Sequence, residues 1–538
     1  TLGHVAEPGE LDAFRSLQRR GVLAAAAMAR SALRIGNRRL AGIWLLSRGV
    51  QRADEDRDSL PWHGPLWGFG RILACEHPEL PARNVDFPLA ADGADLREVV
   101  RSIRASGEEQ QVLVRSGRRL VARYQRSVLT VRGDPIRADA TYLVTGGLGG
   151  VGILLARWLV EQGARHLVLA GRRPPSPEAA AALAELEKRG ARVRVAAIDI
   201  ADPAAVAALI RDVDVETAPL RGIFHLAVAT DHVAILDSTA GSFEHVFAAK
   251  VYGAWNLHRA LGDRRLDFVT LFSSMVAVLP QPRSAGYAAA NAFLDALARH
   301  AATRGLRYRS IQWEPWAHTG QMNEERTRGA LQVYAAQGVR PMTADAGFAV
   351  LGQAGRVPAP VVLAASIDWE TFGVACSTDP WAIEFERLVP QASSVATESA
   401  GVSERAELDA LPPGRARIAW LEERIRVQLA NVLAIPADRI DPNQPMGNMG
   451  LDSLMGLELV RRLSRALELK IAATAVFNHP TIRKFAAALA ARLDGVASVG
   501  TGNGAPAVPA ETTVAAGDIA SLSEEDALKA LLEGRGAR

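Results

Sequence analysis

Five glycines fall within seven positions, in Thr145-Gly146-Gly147-Leu148-Gly149-Gly150-Val151-Gly152. Such a run lets a backbone turn tightly and lets a pyrophosphate approach without Cβ obstruction. The chemistry also needs a strand before the turn and a helix after it. The helix N-terminus then offers unpaired N–H groups and a favourable dipole to an anion. Tyr142-Leu143-Val144 reads as a short buried strand. Ile153 to Gln162 reads as a helix with Ile153, Leu154, Ala156, Trp158 and Leu159 largely apolar. Strand, glycine turn and helix together predict a dinucleotide site lined by Gly146, Gly147, Leu148, Gly149, Gly150 and Gly152.

The next strand of such a fold ends beside the adenosine ribose, where an acid takes a 2′-hydroxyl and a basic residue takes a 2′-phosphate. Here that strand ends in Gly171-Arg172-Arg173, with no acid available. A guanidinium fork matches phosphate oxygens, so Arg172 and Arg173 predict NADPH rather than NADH. Asp199, at the end of the third strand, is a candidate adenine contact.

These residues must be carried by repeated strand–helix units. After the first strand, His166–Ala170, Arg192–Ala196, Gly222–Leu226, Phe268–Phe272 and Tyr308–Trp313 read as five more, with apolar helices between them. That alternation predicts an α/β fold with a doubly wound parallel sheet, the Rossmann arrangement. Upstream, Leu11 to Leu33 reads as one or two helices and Gly42–Ser47 as a buried strand. Pro65–Arg71 opens a helix, and Gln111–Val114 with Arg119–Arg123 form a strand pair around Ser116-Gly117. No nucleotide fingerprint lies in that first stretch. Arg415 to Leu493 is helical with a polar interruption at Pro436 to Met449, and Ser521 to Glu533 reads as a short amphipathic helix.

The totals set outer limits. A chain of 538 residues implies several domains. Its 62 basic and 59 acidic residues leave a net charge of +3, which asks for no nucleic-acid partner. Only five of the basic residues are lysines, at 188, 250, 470, 484 and 529. Two cysteines, Cys75 and Cys376, make a disulfide framework an unfavoured reading and fit a reducing cytoplasm, as ordinary buried thiols. No Cys/His spacing suggests a metal, and no apolar run reaches the ~18 residues of a membrane span. His225 reads as structural or cofactor-adjacent. The first residue is Thr rather than Met, as expected for a piece of something longer.

The tract Phe272-Ser273-Ser274-Met275 followed by Gly286-Tyr287-Ala288-Ala289-Ala290-Asn291 resembles the ketoreductase domains of modular polyketide synthases, within the short-chain dehydrogenase/reductase superfamily. Ser274 lies thirteen residues before Tyr287, Asn291 four after it, and Lys250 twenty-four before Ser274, in the order of that family. The resemblance implies a catalytic set of Tyr287, Ser274, Lys250 and Asn291. The chemistry suits it: hydride addition to a ketone builds charge on oxygen, to which the Ser274 and Tyr287 hydroxyls can donate. Tyr287 is the expected general acid, with Lys250 expected to lower its pKa and Asn291 to hold a water that returns the proton. Leu45-Leu46-Ser47-Arg48-Gly49 and Trp67-Gly68-Phe69-Gly70-Arg71 resemble the family's Rossmann-like structural subdomain, which begins late here, as if its first strands were cut off or lay before an insertion. Trp313-Glu314-Pro315-Trp316 resembles a family motif near the substrate lid, with Glu in place of Gly, and Gln321 to Ala336 would be the lid helix. Two further motifs bear on stereochemistry. Thr230-Asp231-His232 stands where one class has Leu-Asp-Asp, Leu279 stands where the other has Trp, and Pro282 leans toward the first class and a D-configured hydroxyl.

Met449-Gly450-Leu451-Asp452-Ser453-Leu454-Met455 resembles the phosphopantetheine attachment site of acyl carrier proteins, and Val476-Phe477-Asn478-His479-Pro480-Thr481 their later turn. This implies a small four-helix-bundle carrier with 4′-phosphopantetheine on Ser453. The expected organisation is a structural subdomain over 1–138, a catalytic subdomain over 139–389, a linker over 390–414, a carrier over 415–494, and a linker with a short helix over 495–538. The resemblance implies reduction of a β-ketoacyl thioester on the carrier by NADPH, in the cytoplasm. The implied partners are the carrier-bound acyl thioester, a phosphopantetheinyl transferase and other synthase domains. Two alternatives stand beside it: a catalytically silent reductase fold serving as scaffold, and the equivalent pair of a multifunctional fatty acid synthase.

Overall fold

The computed structural model describes residues 11–35, 40–53, 56–105, 109–127, 136–216, 218–317, 331, 334–354, 357, 359–376, 379–390, 404–433, 435–451, 453–469, 471 and 475–497. The expected terminal helix at 521–533, most of the lid at 321–336, and Asp452 lie outside them. The chain divides into two units, Leu2–Ala90 with Ala105–Ser393, and Ser394–Arg538 with Ala91–Arg104.

The chain starts with α1 (Leu11–Gln18) and α2 (Ala24–Ile35), joined by a π-helical turn at Arg19–Leu23. There follow β1 (Ile43–Arg48), α3 (Gly64–Glu76), β2 (Ala82–Phe87), α4 (Gly93–Arg104), β3 (Gln111–Arg115) and β4 (Arg118–Val121). The first sheet runs β1-β2-β3-β4, parallel except for β4, which turns back on β3. Ser116 and Gly117 make that turn at φ of 52° and 67°. Strand β2 was not legible because it carries Arg83, Asn84 and Asp86. Asp86 is fully buried and accepts from Ser47 Oγ at 2.7 Å, Val50 N at 3.0 Å and Arg115 Nη2 at 2.9 Å. A charge buried with this many partners is tolerated inside a sheet.

The second sheet holds β5 (Thr141–Thr145), β6 (His166–Gly171), β7 (Arg192–Ala197), β8 (Leu220–His225), β9 (Phe268–Ser274), β10 (Tyr308–Trp313) and, past a short β11 (Val339–Arg340), β12 (Val361–Ala364). Its order is β12-β10-β9-β8-β5-β6-β7, parallel throughout. The strand order reverses between β5 and β8, and in doubly wound sheets ligands lie in the crevice there. The six strands read from sequence are joined by β12, whose four residues are too short to signal alone. Helices α5 (Gly150–Glu161), α6 (Pro177–Lys188), α7 (Pro203–Glu216), α8 (Ala240–Phe247), α9 (Gly253–Leu261) and α10 (Ala285–Thr303) cover the faces.

Two features lock the first stretch to α10. Helix α3 comes so close that a Cβ on Gly68 would stand 2.2 Å from Ala288 O, and one on Gly64 would stand 2.9 Å from Ala296 Cβ. Only small residues permit that approach. Beside it, the Phe14 ring packs on Trp62, Tyr252, Trp255 and Phe293, with centroids 5.4–5.8 Å away.

The smaller unit contains helices Glu404–Ala410, Arg415–Leu433, Ser453–Ala466, Ala475–Asn478 and Ile482–Ala497. Leu421, Ile425, Leu459, Leu463 and Phe485 fill its core. Within the stretch read as linker over 390–414, the described residues 404–414 depart from expectation. Glu404–Ala410 is helical, and Leu408, fully buried, joins that core. One buried leucine among charged neighbours gave no period to read.

Candidate active site

The glycine turn sits where β5 delivers it. Gly146 is left-handed at φ 71°, and its N–H donates to Ala170 O on β6 at 2.8 Å. A Cβ on Gly147 would meet Val144 O at 2.8 Å, and one on Gly152 would meet Gly146 O at 2.6 Å. The turn therefore requires glycine at these positions. Gly149 caps α5, whose second turn begins with Ile153 N donating to Gly149 O at 2.9 Å. The result is a bare cradle facing a helix N-terminus, which fits a pyrophosphate.

Past β6, Arg172 and Arg173 are exposed, and neither guanidinium has an ion-pair partner among the described residues. They fit a 2′-phosphate. Asp199 is exposed two residues past β7, its Oδ1 accepting from Ala201 N at 2.9 Å. Across the reversal point, Thr145 Oγ1 lies 2.7 Å from His225 Nδ1. Burial, reinforced by the Lys250 charge, pushes His225 down to about 3, so the ring is neutral.

Three elements bring the hydroxyl, phenol and amine set together. Lys250 lies in a π-helical turn, Ala248–Tyr252, between α8 and α9. Single π turns inside helices often mark functional positions, because the extra residue re-aims a side chain. The Lys250 ammonium is buried, donates to Phe272 O at 2.7 Å and stands 5.5 Å from the Tyr287 ring centroid. Ser274 ends β9 and caps the 3-10 turn Met275–Ala277, accepting from Val276 N at 3.4 Å. Tyr287 lies in the first turn of α10, and Asn291 one turn later donates from Nδ2 to Tyr287 O at 2.8 Å. Asn291 Oδ1 is buried and accepts no hydrogen bond among the described residues.

One expectation is corrected. Tyr287 is not lowered: burial pushes its phenol above the ordinary value, with the Ser274 and Asn291 side chains opposing the shift as hydrogen-bonding groups. Lys250 is itself pushed down to about 7, again by burial, with Asp295 opposing. Desolvation penalises phenolate and ammonium alike, and it is the largest influence on both groups.

Sequence reasoning also missed the support beneath this set. Asp295 lies one turn past Asn291, so 287, 291 and 295 share a face of α10. Its buried carboxylate accepts from Ser310 Oγ and Gln312 Nε2, each at 2.6 Å. Ser273 Oγ donates to Asn291 O at 3.3 Å. The helical spacing was the available signal. Glu314, the departure from the family motif, is buried. Its Oε2 accepts from Ser366 N at 2.6 Å, its Oε1 has no partner among the described residues, and burial raises it to about 7.

In the smaller unit the helix Ser453–Ala466 begins at Ser453, after Gly450 turns the chain at φ 97°. The later turn meets the approach to that helix, with Met446 N donating to Pro480 O at 2.8 Å. The expected exposure of the Ser453 side chain lies outside what is described.

Comparison with known proteins separates the reductase fold from its many relatives. The KR domain model matches residues 140–318, and the phosphopantetheine attachment site model matches 423–489. A solved A-type ketoreductase from a modular polyketide synthase is 36% identical with a TM-score of 0.60, covering 66% of this chain and 73% of that one. This chain belongs to the ketoreductases of modular polyketide synthases. The first ketoreductase of the tylosin synthase is similar too, at 31% identity and TM-score 0.60, over 68% of this chain and 77% of that one. Among whole synthases, polyketide synthase GfsA of Streptomyces halstedii is 35% identical over 88% of this chain, and pikromycin synthase component PikAIII of Streptomyces venezuelae 34% over 84%. The chain spans 6% and 30% of those two proteins. The family's reaction is reduction of a ketone with NADPH, and its attachment domain carries 4′-phosphopantetheine. Among the described residues of this ketoreductase, no helix is long and apolar enough to cross a membrane.

Proposed function

We propose that this ketoreductase uses NADPH to reduce a β-ketoacyl thioester held on phosphopantetheinylated Ser453, giving the β-hydroxyacyl thioester. The observation that carries the reading is the meeting of Lys250, Ser274, Tyr287 and Asn291 in one site on the unit that holds the glycine cradle. NADPH, when bound, supplies the hydride to the carbonyl carbon. Gly146, Gly147, Leu148, Gly149, Gly150 and Gly152 would hold the pyrophosphate, Arg172 and Arg173 the 2′-phosphate, and Asp199 the adenine. The Ser274 and Tyr287 hydroxyls donate to the ketone oxygen as it gains charge. Tyr287 then gives up its proton. Its raised pKa keeps it protonated until an alkoxide forms, and an alkoxide is the stronger base, so the transfer runs toward substrate. Lys250, and a water at Asn291 Oδ1, return a proton to the phenolate.

Phosphopantetheinyl transferase would load Ser453, and the other domains of a cytoplasmic synthase would supply and collect the chain. The domain limits proposed are those read from sequence, with the carrier extended to include Glu404–Ala410. The experiment is intact-protein mass after loading a β-ketoacyl-pantetheine arm, with and without NADPH, beside Tyr287→Phe and Ser453→Ala. The expected result is a gain of one dihydrogen that needs both NADPH and Tyr287, on an arm that needs Ser453. A loaded ketone that survives NADPH would leave a silent scaffold.

A further inference from the structure

Glu76 is the last residue of α3, in the half without a glycine loop, and it is 5% exposed. Its carboxylate accepts from two backbone N–H groups, both in the catalytic half. Oε2 takes Ile235 N at 2.9 Å, and Oε1 takes Arg283 N. Ile235 follows the segment Thr230-Asp231-His232, and Arg283 stands four residues before Tyr287.

The two segments are tied together at the same place. Arg283 Nη2 donates to His232 O at 3.2 Å, and Val233 pairs with Ser284 as a parallel bridge. The Asp231 carboxylate lies over Gly286, 3.3 Å from where a Cβ on that glycine would stand. Arg283 itself is left-handed, at φ 64°. A non-glycine residue there is uncommon and persists when its surroundings hold it. The hydrogen bond that its N–H donates to the Glu76 carboxylate is such a hold. The next residue, Ser284, accepts from Ala288 N at 2.8 Å and so sets the first turn of α10, on which Tyr287 stands.

We propose that Glu76 is a positioning residue for the reduction: it clamps the Asp231 segment and the Arg283 turn at fixed spacing, and so sets the position of Tyr287 against the substrate ketone. This rests on the reductase reading. It assigns to the half without a cofactor site a part in the geometry of the reaction. The clamp acts through backbone groups, so the identities of the Ile235 and Arg283 side chains are secondary to it.

The test uses the full chain. NADPH-dependent reduction of a β-ketoacyl pantetheine thioester is compared for wild type and Glu76→Gln. The amide keeps the size and one acceptor but sets an N–H donor against one of the two backbone N–H groups. The expected result is a kcat lower by roughly tenfold to a hundredfold, the scale of a small misplacement of reacting groups. The hydroxyl product changes from one configuration to a mixture, while the Kd for NADPH, read by cofactor fluorescence, is unchanged. A wild-type kcat and product ratio overturn the proposal. Loss of NADPH binding together with activity also overturns it, because general damage then accounts for both. Amide hydrogen exchange on the wild type gives a second measurement that does not depend on the variant folding. The Ile235 and Arg283 amides should exchange as slowly as those of α10; exchange at the rate of exposed loops overturns the clamp. A wild type that binds NADPH yet reduces nothing tells against the reductase reading instead, and the exchange result still judges the clamp.

Discussion

Lys250→Met separates the thermodynamic cost of a buried ammonium from its use. Burial lowers the Lys250 pKa from 10.5 to about 7. At 1.36 kcal/mol per pKa unit, the charged form costs the fold about 5 kcal/mol wherever both states are protonated. The sign follows from proton counts. Between pH 7 and 10.5 the unfolded chain keeps a proton that the folded chain sheds, so stability rises with pH across that window. The penalty is complete below the folded value and fades toward the unfolded one. Methionine removes the ammonium but leaves Phe272 O without its donor, at a cost of about 1–3 kcal/mol. At pH 6 the variant should therefore be the more stable protein by about 2–4 kcal/mol. From pH 7 to pH 9 the gap should shift by about 2 kcal/mol in favour of wild type. Urea unfolding followed by tryptophan fluorescence at pH 6, 7, 8 and 9 measures this. Trp420 apart, the tryptophans lie in the larger unit, which the signal therefore reports. A stability difference that stays flat with pH refutes the reasoning, because Lys250 would then titrate alike in both states. The variant should also reduce ketone more slowly at every pH, so that a more stable protein is the poorer enzyme.

Two further outcomes follow from single contacts. Arg172→Ala with Arg173→Ala should cost roughly tenfold to a hundredfold in preference for NADPH over NADH, the value of one or two charged hydrogen bonds, as read from kcat/KM with each cofactor. Gly68→Ala puts a Cβ 2.2 Å from Ala288 O, so α3 must withdraw from α10. A loss of about 1–3 kcal/mol in urea unfolding is expected, and an unchanged midpoint would show that the two helices are not in close contact.

Much of the site was legible because local chemistry fixes it. A glycine turn between a buried strand and a helix has few uses, and the close approaches at Gly147 and Gly152 show why no other residue serves there. The spacing of Ser274, Tyr287 and Asn291 was readable because one strand end and one helix face carry all three. The short strands β2 and β12 and the helix Glu404–Ala410 were not. Their residues are polar or few, and each is held by partners distant in sequence, as Asp86 is by Ser47 and Arg115.

The sequence by itself determined which groups are present and the alternation of six strands of the second sheet with helices, and the resemblance of its motifs implied the family. The groups and the alternation follow from side-chain identity and from periodicities of two and 3.6, which need no knowledge of what lies across the fold. Only the tertiary structure decided the protonation of Lys250 and Tyr287 and the part played by Glu76. Desolvation depends on everything packed around a group. A carboxylate at the end of α3 meets Ile235 and Arg283 only because Gly64 and Gly68 let α3 lie against α10.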